Sequence, residues 1–235
     1  TFLVLTLCFF LKKKAIIKIA NSGKKFDIKV FFERYKLLKI FKSLIDNENF
    51  TLLCLTSQNN LDLRDQKFTK INNLPFRNGV EVNNLPNEVV KNSIMFLGRL
   101  EPIKRIDIVI QLAEIMPDYN FIVVGSGSLI NELMDATDRL ENIEYIGEVD
   151  NEGIPWRDVE WVILPSEGEG MSNVLLEAIA NRKGIIASRI DQNKFVTALT
   201  NKLVWIDSNL FDVAQEVRSN QHKLVQPRKE FDKYK

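Results

Sequence analysis

The sequence has few of the side chains that disulfide, zinc and histidine chemistry require. Its 235 residues include two cysteines, Cys8 and Cys54, and one histidine, His222. Both cysteines lie in apolar runs without a Cys-x-x-C motif, which argues against a disulfide framework or a structural zinc site and favours a reducing, cytoplasmic setting. His222 falls in a predicted C-terminal helix, and we expect it at the surface.

The sequence also has no large excess of positive or negative charge. The chain has 32 basic and 31 acidic residues and a net charge of +1, so no overall field favours nucleic acid or anionic lipid. No basic stripe with interleaved aromatic residues is present, which argues against a nucleic-acid partner. The apolar fraction of 45% is typical of a globular protein.

Long apolar runs are missing as well. The opening TFLVLTLCFFL has eleven mostly apolar residues, whereas a membrane-spanning helix needs roughly 20. Lys12, Lys13 and Lys14 follow this run, while a secretory signal carries its positive charges first. We expect a buried helix or strand here, with an interfacial helix and peripheral membrane association as the alternative.

The chain does contain a regular alternation of apolar strands and amphipathic helices. This alternation predicts an α/β fold with a mostly parallel sheet that is covered on both faces. A polar segment over 83–93 reads as a linker between a partial domain, 1–90, and a nearly complete domain, 91–235. The predicted strands are 15–20, 51–55, 94–98, 121–124, 143–146, 161–164, 185–188 and 203–206. The main predicted helices are 27–46, 57–67, 104–116, 128–140, a helix that follows the acidic loop and reaches about 181, and 210–225.

The segment PSEGEGMSNVLLEAIA, residues 165–180, combines an acidic loop (165–171) with the start of a helix. The backbone N–H groups of Met171, Ser172 and Asn173 would lie in the first helical turn and attract an anion. Glu169 and Glu177 add carboxylates that accept hydroxyl groups. A phosphate at the helix end with hydroxyls at the carboxylates suits a nucleotide sugar. The alternative is that Glu169 favours the helix dipole and Glu177 is solvated.

Three further loops follow predicted strands and should gather at the same edge of the sheet. After Gly98, Arg99 offers a fork of donors for a phosphate and Lys104 a second positive charge, although both residue types are often solvated.

The other two loops begin at Gly125 and Gly147. Gly125 and Gly127 allow a close approach to the backbone, but Ile130 replaces the third glycine of a dinucleotide fingerprint, which argues against a nicotinamide dehydrogenase. The third loop is Gly147-Glu148-Val149.

The segments FLGRLEPIKR, IVVGSGSLINEL, IEYIGEV and WVILPSEGEGMSNVLLEAIA, in this order and spacing, resemble the retaining glycosyltransferases of family 4 (glycosyl transferase group 1). The resemblance implies a GT-B fold, with two Rossmann-like domains facing across a cleft. It implies transfer of a sugar from a UDP- or GDP-linked donor to a glycan or lipid-linked acceptor, with retention of configuration. It also implies no metal or other cofactor, and a role in surface polysaccharide synthesis at the cytoplasmic face of the membrane.

The resemblance also assigns roles to residues. Arg99 and Lys104 would contact the donor diphosphate, and Glu169 the hydroxyls of the transferred sugar; these three form the expected catalytic set. Glu177 would hold the ribose hydroxyls, and the third loop would border the base. The remaining donor-binding positions are Gly98, Gly125, Gly127, Gly147, Val149, Gly170, Met171, Ser172 and Asn173.

Three features depart from the family pattern. No histidine precedes His222, the sequence after the acidic helix reads ANRKG in place of Ala-Cys-Gly-x-Pro, and the chain ends where the family has a further helix. We therefore expect a fragment or a degenerate copy of a longer enzyme. Two alternatives stay open: an inactive nucleotide-sugar-binding protein, and a nucleotide-sugar 2-epimerase on the same fold.

Overall fold

A computed structural model of the chain describes residues 10–19, 46, 48–54, 64, 67, 69–75, 79–80, 91–169, 172–206, 209–221, 223–229 and 231. The chain divides into two compact units, Thr1–Asn78 and Gly79–Lys235. The apolar opening, the helices predicted over 27–46 and 57–67, the predicted linker and His222 lie wholly or mostly outside the described residues. The predicted domain boundary at residue 90 therefore stays a prediction.

The first unit contains a parallel sheet of three strands: β1 (Ala15–Ile19), β2 (Phe50–Cys54) and β3 (Asn72–Pro75). The strands lie in the order β1-β2-β3, with Ala15 opposite Phe50 and Thr51 opposite Asn72. Phe50 and Leu52 are buried. The strands predicted over 15–20 and 51–55 are confirmed.

The second unit is built on six parallel strands in the order β6-β5-β4-β7-β8-β9. The first of them in sequence, β4, lies at the centre, and the strand order reverses between β4 and β7. In doubly wound sheets the loops part at this switch point and leave a crevice beyond the carboxyl ends of the strands. The six strands are β4 (Ser93–Leu97), β5 (Asn120–Val124), β6 (Ile143–Gly147), β7 (Trp161–Leu164), β8 (Gly184–Ser188) and β9 (Leu203–Ile206).

Helices cover this sheet, which is why its central strands are mostly apolar. All four residues of β7 are buried, as expected when both faces of a parallel sheet are packed. Side chains of α1, α2 and α5 form one core cluster with Ile94 and Phe96 of β4, while α3 packs against β7 and β8. The α-helices among the described residues of this unit are α1 (Ile106–Ile115), α2 (Ile130–Thr137), α3 (Asn173–Ala180), α4 (Asp191–Thr197) and α5 (Leu210–Ser219).

The predicted Rossmann-like α/β fold is confirmed, but two predicted helix ends are wrong and one helix was missed. The helix predicted over 104–116 begins at Ile106, because Pro102–Lys104 forms a 3₁₀ turn and Arg105 takes a left-handed conformation. The last helix ends at Ser219 and not at residue 225. Asn220 stops it by donating its side-chain amide to the carbonyl of Glu216. Helix α4 was not predicted.

The amino edge of the sheet contains buried charges. The Nζ of Lys202 lies 2.7 Å from the Oε1 of Glu160, with 4% and 3% of the two side chains exposed. The Lys202 ammonium also lies 4.5 Å from the ring centroid of Trp161. Lys183 is buried nearby, and burial lowers its pKa to about 8 although Asp158 and Glu160 oppose the shift.

Lys183→Met is expected to stabilise the protein by about 1–3 kcal/mol near pH 7, because the native state then carries one buried charge fewer. Native Lys183 loses its proton at about pH 8 and the unfolded side chain at 10.5. The wild-type protein therefore gains stability as the pH rises through this window, and its difference from the variant shrinks. Urea unfolding of both proteins at the two ends of the window measures this change.

Lys202→Met is the matched control, since it makes the same change at a neighbouring buried lysine that has an ion-pair partner. It leaves the Glu160 carboxylate buried without its cation and should destabilise the protein by about 3–5 kcal/mol. Equal stability of the wild type and Lys183→Met, at both ends of the pH window, would contradict the account.

Candidate functional site

The loops that follow β4 and β7 meet at the switch point. The Nζ of Lys104 lies 2.6 Å from the Oε1 of Glu169, and 16% and 11% of these side chains are exposed. The backbone N–H of Glu167 donates to the carbonyl of Ile103 at 3.0 Å. Two of the three residues predicted as the catalytic set are therefore in direct contact.

The Lys104–Glu169 ion pair is largely removed from water. Its geometry therefore affects stability more than the geometry of a surface ion pair does. The cation predicted for the diphosphate and the carboxylate predicted for the sugar neutralise each other. A phosphate that reached Lys104 would have to share its ammonium with Glu169. The pair thus links the two predicted binding functions.

Arg99, the third member of the set, lies two residues beyond the end of β4. Its side chain is exposed, and it makes no hydrogen bond or ion pair with the other described residues. Its guanidinium is therefore available to an anion, in contrast to the paired Lys104. The structure does not bring Arg99 into the Lys104–Glu169 contact.

The glycines of the second loop are required by contacts within the protein. A Cβ at Gly125, whose φ is +130°, would lie 2.0 Å from the carbonyl oxygen of Gly98. A Cβ at Gly127 would lie 2.5 Å from the carbonyl oxygen of Leu100. These backbones are joined by hydrogen bonds, including one from Leu100 N–H to the carbonyl of Ser126 at 2.8 Å. The predicted close approach of a ligand at these glycines stays a prediction.

The third loop is open on one side. Gly147 has a φ of +90°, and a Cβ there would meet no atom within 4 Å. Its carbonyl accepts a hydrogen bond from Gly125 N–H at 2.8 Å, which ties it to the second loop. The Oγ of Ser126 donates to the Oε2 of Glu148 at 2.6 Å, and Val149 is half-buried. The predicted border of the base therefore has free space beside it.

The start of α3 is fixed by a side-chain cap that sequence reasoning missed. Ser172 is the N-cap residue, and its buried Oγ accepts a hydrogen bond from Leu175 N–H at 3.3 Å. The sequence analysis predicted a role only for the backbone N–H of Ser172 and none for its side chain. Asn173, the first helical residue, is exposed. Gly170 and Met171 lie outside the described residues.

Glu177 lies on α3 and is half-buried, not fully solvated as one reading of the sequence had it. Burial raises the pKa of its carboxyl group. Its carboxylate has no hydrogen-bond donor among the described residues. A partly buried carboxylate without a donor is costly, and such groups concentrate at binding sites.

Arg105 is the residue of the site that the sequence did not indicate. Its Nε and Nη2 donate to the carboxylate of Asp107 at 2.8 Å each, and its Nη1 donates to the Oε1 of Glu167 at 3.0 Å. The one available signal was the charge complementarity of Arg105 and Asp107, two residues apart. It did not reveal the contact with the acidic loop.

Metal-binding clusters and membrane spans are absent from the part of the chain that the structure describes. In those residues no group of three or more His, Cys, Asp and Glu side chains is arranged to hold a metal ion. None of the described helices has the length and apolar character needed to cross a bilayer.

Residues 91–219 match the family described as "Glycosyl transferases group 1", and this match covers more than half of the chain. The chain belongs to this family. The matched segment contains all six strands of the second unit and every residue of the predicted site.

Solved structures confirm the GT-B fold of this group 1 glycosyl transferase. A Staphylococcus aureus TarM variant, in complex with fondaparinux, alpha-GlcNAc-glycerol and UDP, is 21% identical with a TM-score of 0.70, covering 88% of this chain and 43% of that one. Anabaena HepE in complex with UDP is 14% identical with a TM-score of 0.73, covering 94% and 67%. At these identities the likeness concerns the fold alone.

Curated relatives are longer than this chain. The poly(ribitol-phosphate) alpha-N-acetylglucosaminyltransferase of Staphylococcus aureus is 24% identical over 218 residues, which are 88% of this chain and 43% of the relative. An uncharacterized glycosyltransferase of Methanocaldococcus jannaschii is 31% identical over 117 residues, 48% of this chain and 33% of the relative. This chain thus matches less than half the length of these two relatives.

A double-mutant cycle on Lys104→Met and Glu169→Gln should give a coupling free energy of about 1–2 kcal/mol in the ligand-free protein, because each single change leaves a mostly buried partner unpaired. Urea unfolding of the wild type, both single variants and the double variant measures it. The control cycle is Arg139→Met and Glu114→Gln, whose groups are 3.4 Å apart with 61% and 45% of the side chains exposed. That pair should couple by less than about 0.5 kcal/mol, and equal coupling in both cycles would contradict the structural role of the Lys104–Glu169 pair.

Proposed function

We propose that this chain carries the donor site of a glycosyltransferase that moves a sugar from a nucleotide sugar to a glycan or lipid-linked acceptor. The observation that supports this most is the set of groups at the switch point. The Lys104–Glu169 ion pair joins the two central loops. On the helix that follows, the half-buried carboxylate of Glu177 has no hydrogen-bond donor among the residues that the structure describes.

In this proposal the diphosphate of the donor is bound by Arg99 and Lys104, whose positive charges stabilise the leaving diphosphate as the sugar departs. The first N–H groups of α3 add a partial positive charge at the same place. These cations meet the charge requirement of the leaving group, so we propose a reaction that uses no metal.

The carboxylates would bind the hydroxyl groups of the donor. Glu177 would accept hydrogen bonds from the ribose, which would stabilise its ionised form and offset the burial that raises its pKa. Glu169 would accept hydrogen bonds from the transferred sugar while Lys104 turns to the phosphate. The alternative role of Glu177 as a solvated helix residue does not account for the burial that raises its pKa.

The finer parts of the proposal rest on the relatives. Besides the poly(ribitol-phosphate) enzyme, they include a capsular polysaccharide biosynthesis glycosyltransferase of Staphylococcus aureus and an O-antigen biosynthesis glycosyltransferase of Escherichia coli. These names support a role in surface polysaccharide synthesis, and the similar structures that contain UDP support a UDP donor, with GDP as the other candidate. We further propose retention of configuration and a peripheral position at the cytoplasmic face of the membrane.

Calorimetric titration of the chain with UDP, GDP, ADP and NAD tests the proposal. One nucleoside diphosphate should bind and NAD should not. Glu177→Gln should weaken binding by about 10- to 100-fold, the effect of losing hydrogen bonds to a charged group. Glu216→Gln, at an exposed glutamate on α5, is the control and should bind as the wild type does. Unchanged affinity in Glu177→Gln, or binding of NAD alone, would contradict the proposed site.

A further inference from the structure

We propose that Arg105 is a positioning residue that holds the acidic loop in place when the donor occupies Lys104. The part of this inference that concerns the sugar rests on the proposed function. The part that concerns the loop stands on contacts in the ligand-free protein.

The first step is the backbone of Arg105, which lies between the 3₁₀ turn and α1 with φ 54° and ψ 54°. Its N–H donates to the carbonyl of Pro102 at 3.2 Å, and its carbonyl accepts from Ile108 N–H at 3.1 Å. Glycine adopts this left-handed conformation freely, whereas a residue with a Cβ pays about 1 kcal/mol or more. The side chain of Arg105 must therefore supply contacts that offset this strain.

The second step is the fork of the guanidinium. Two of its nitrogens bind the Asp107 carboxylate, which lies in the first turn of α1. The hydrogen bond from Arg105 lowers the pKa of Asp107 against the opposing effect of burial. This bidentate contact fixes the plane of the guanidinium and leaves Nη1 pointing at Glu167.

The third step is the spacing of the contacts on the acidic loop. The adjacent residues Lys104 and Arg105 bind the alternate residues Glu169 and Glu167. The N–H of Glu167 also donates to the carbonyl of Ile103. The described part of the acidic loop is thus attached to the loop after β4 at three points.

The fourth step concerns what changes when a diphosphate binds. The phosphate competes with Glu169 for the ammonium of Lys104, so one of the three attachments weakens at the moment when Glu169 is needed for the sugar. The Arg105–Glu167 ion pair involves neither of these groups. It keeps the acidic loop attached to the loop after β4 while Lys104 and Glu169 exchange their contact with each other for contacts with the donor.

Hydrogen exchange in the ligand-free protein tests the loop. Arg105→Gly removes the side chain and suits the left-handed backbone, so we expect a melting temperature close to that of the wild type. The amide of Glu167 should exchange about two- to fivefold faster, the range for ion pairs as exposed as this one. Arg139→Gly, the same change at another paired and exposed arginine, should leave that amide unchanged. An unchanged rate at Glu167 in Arg105→Gly would overturn the proposal.

Calorimetry with UDP and UDP-N-acetylglucosamine, or with GDP and GDP-mannose if GDP is the nucleotide bound, tests the consequence for the sugar. Arg105→Gly should weaken binding of the nucleotide sugar by about two- to fivefold while binding of the nucleoside diphosphate changes less than about twofold. Arg105→Lys should restore part of the difference. Glu167→Gln should reproduce the loss, and the double variant should add nothing to it.

The outcomes separate the two proposals. Equal weakening of both ligands in Arg105→Gly would show a general role in nucleotide binding and overturn the positioning role. Absence of binding by the wild-type chain would count against the proposed function of the isolated chain, and the exchange rate at Glu167 would then decide the role of Arg105 alone.

Discussion

The site depends on one ion pair, between Lys104 and Glu169, which joins the halves of the doubly wound sheet at its switch point. The reversal of strand order between β4 and β7 separates the helices that follow these strands and leaves a crevice between their loops. The ion pair connects the loop after β4 to the loop after β7. Because its partners lie on opposite loops, the pair fixes the distance between the group proposed to bind phosphate and the group proposed to bind sugar hydroxyls.

A second ion pair, at the amino edge, is more deeply buried than the Lys104–Glu169 ion pair. Glu160 and Lys202 are almost completely buried, and Trp161 covers the ammonium, so nothing from solvent can exchange with them. Lys104 and Glu169 keep a small exposed fraction, 16% and 11% of their side chains. A phosphate can therefore reach the pair at the carboxyl edge, whereas the pair at the amino edge can only stabilise the fold.

Much of the second unit could be predicted from the sequence, because strands packed on both faces are short, continuous apolar runs. The parallel alternation also predicted that Lys104 and Glu169, 65 residues apart, would lie at one edge of the sheet. The left-handed Arg105 could not be predicted, since no local signal distinguishes an arginine in this conformation from one in a helix. Its side chain contacts Asp107 and also Glu167, which lies on another loop. The glycines of the second loop are a similar case. The sequence shows that they are present, but it does not show that the backbone of the loop after β4 lies too close to them for a side chain.

The most direct test of the central claim, that the switch point is a nucleotide-sugar donor site, is a crystal structure of the chain soaked with the nucleoside diphosphate it binds best. The account predicts density between the loops after β4 and β7, with phosphate oxygens in hydrogen-bond range of Lys104 and ribose hydroxyls in range of Glu177. It also predicts a longer distance between Lys104 and Glu169 than the 2.6 Å of the ligand-free protein. A nucleotide bound elsewhere, such as at the amino edge beside Lys183, with the Lys104–Glu169 ion pair intact, would contradict it.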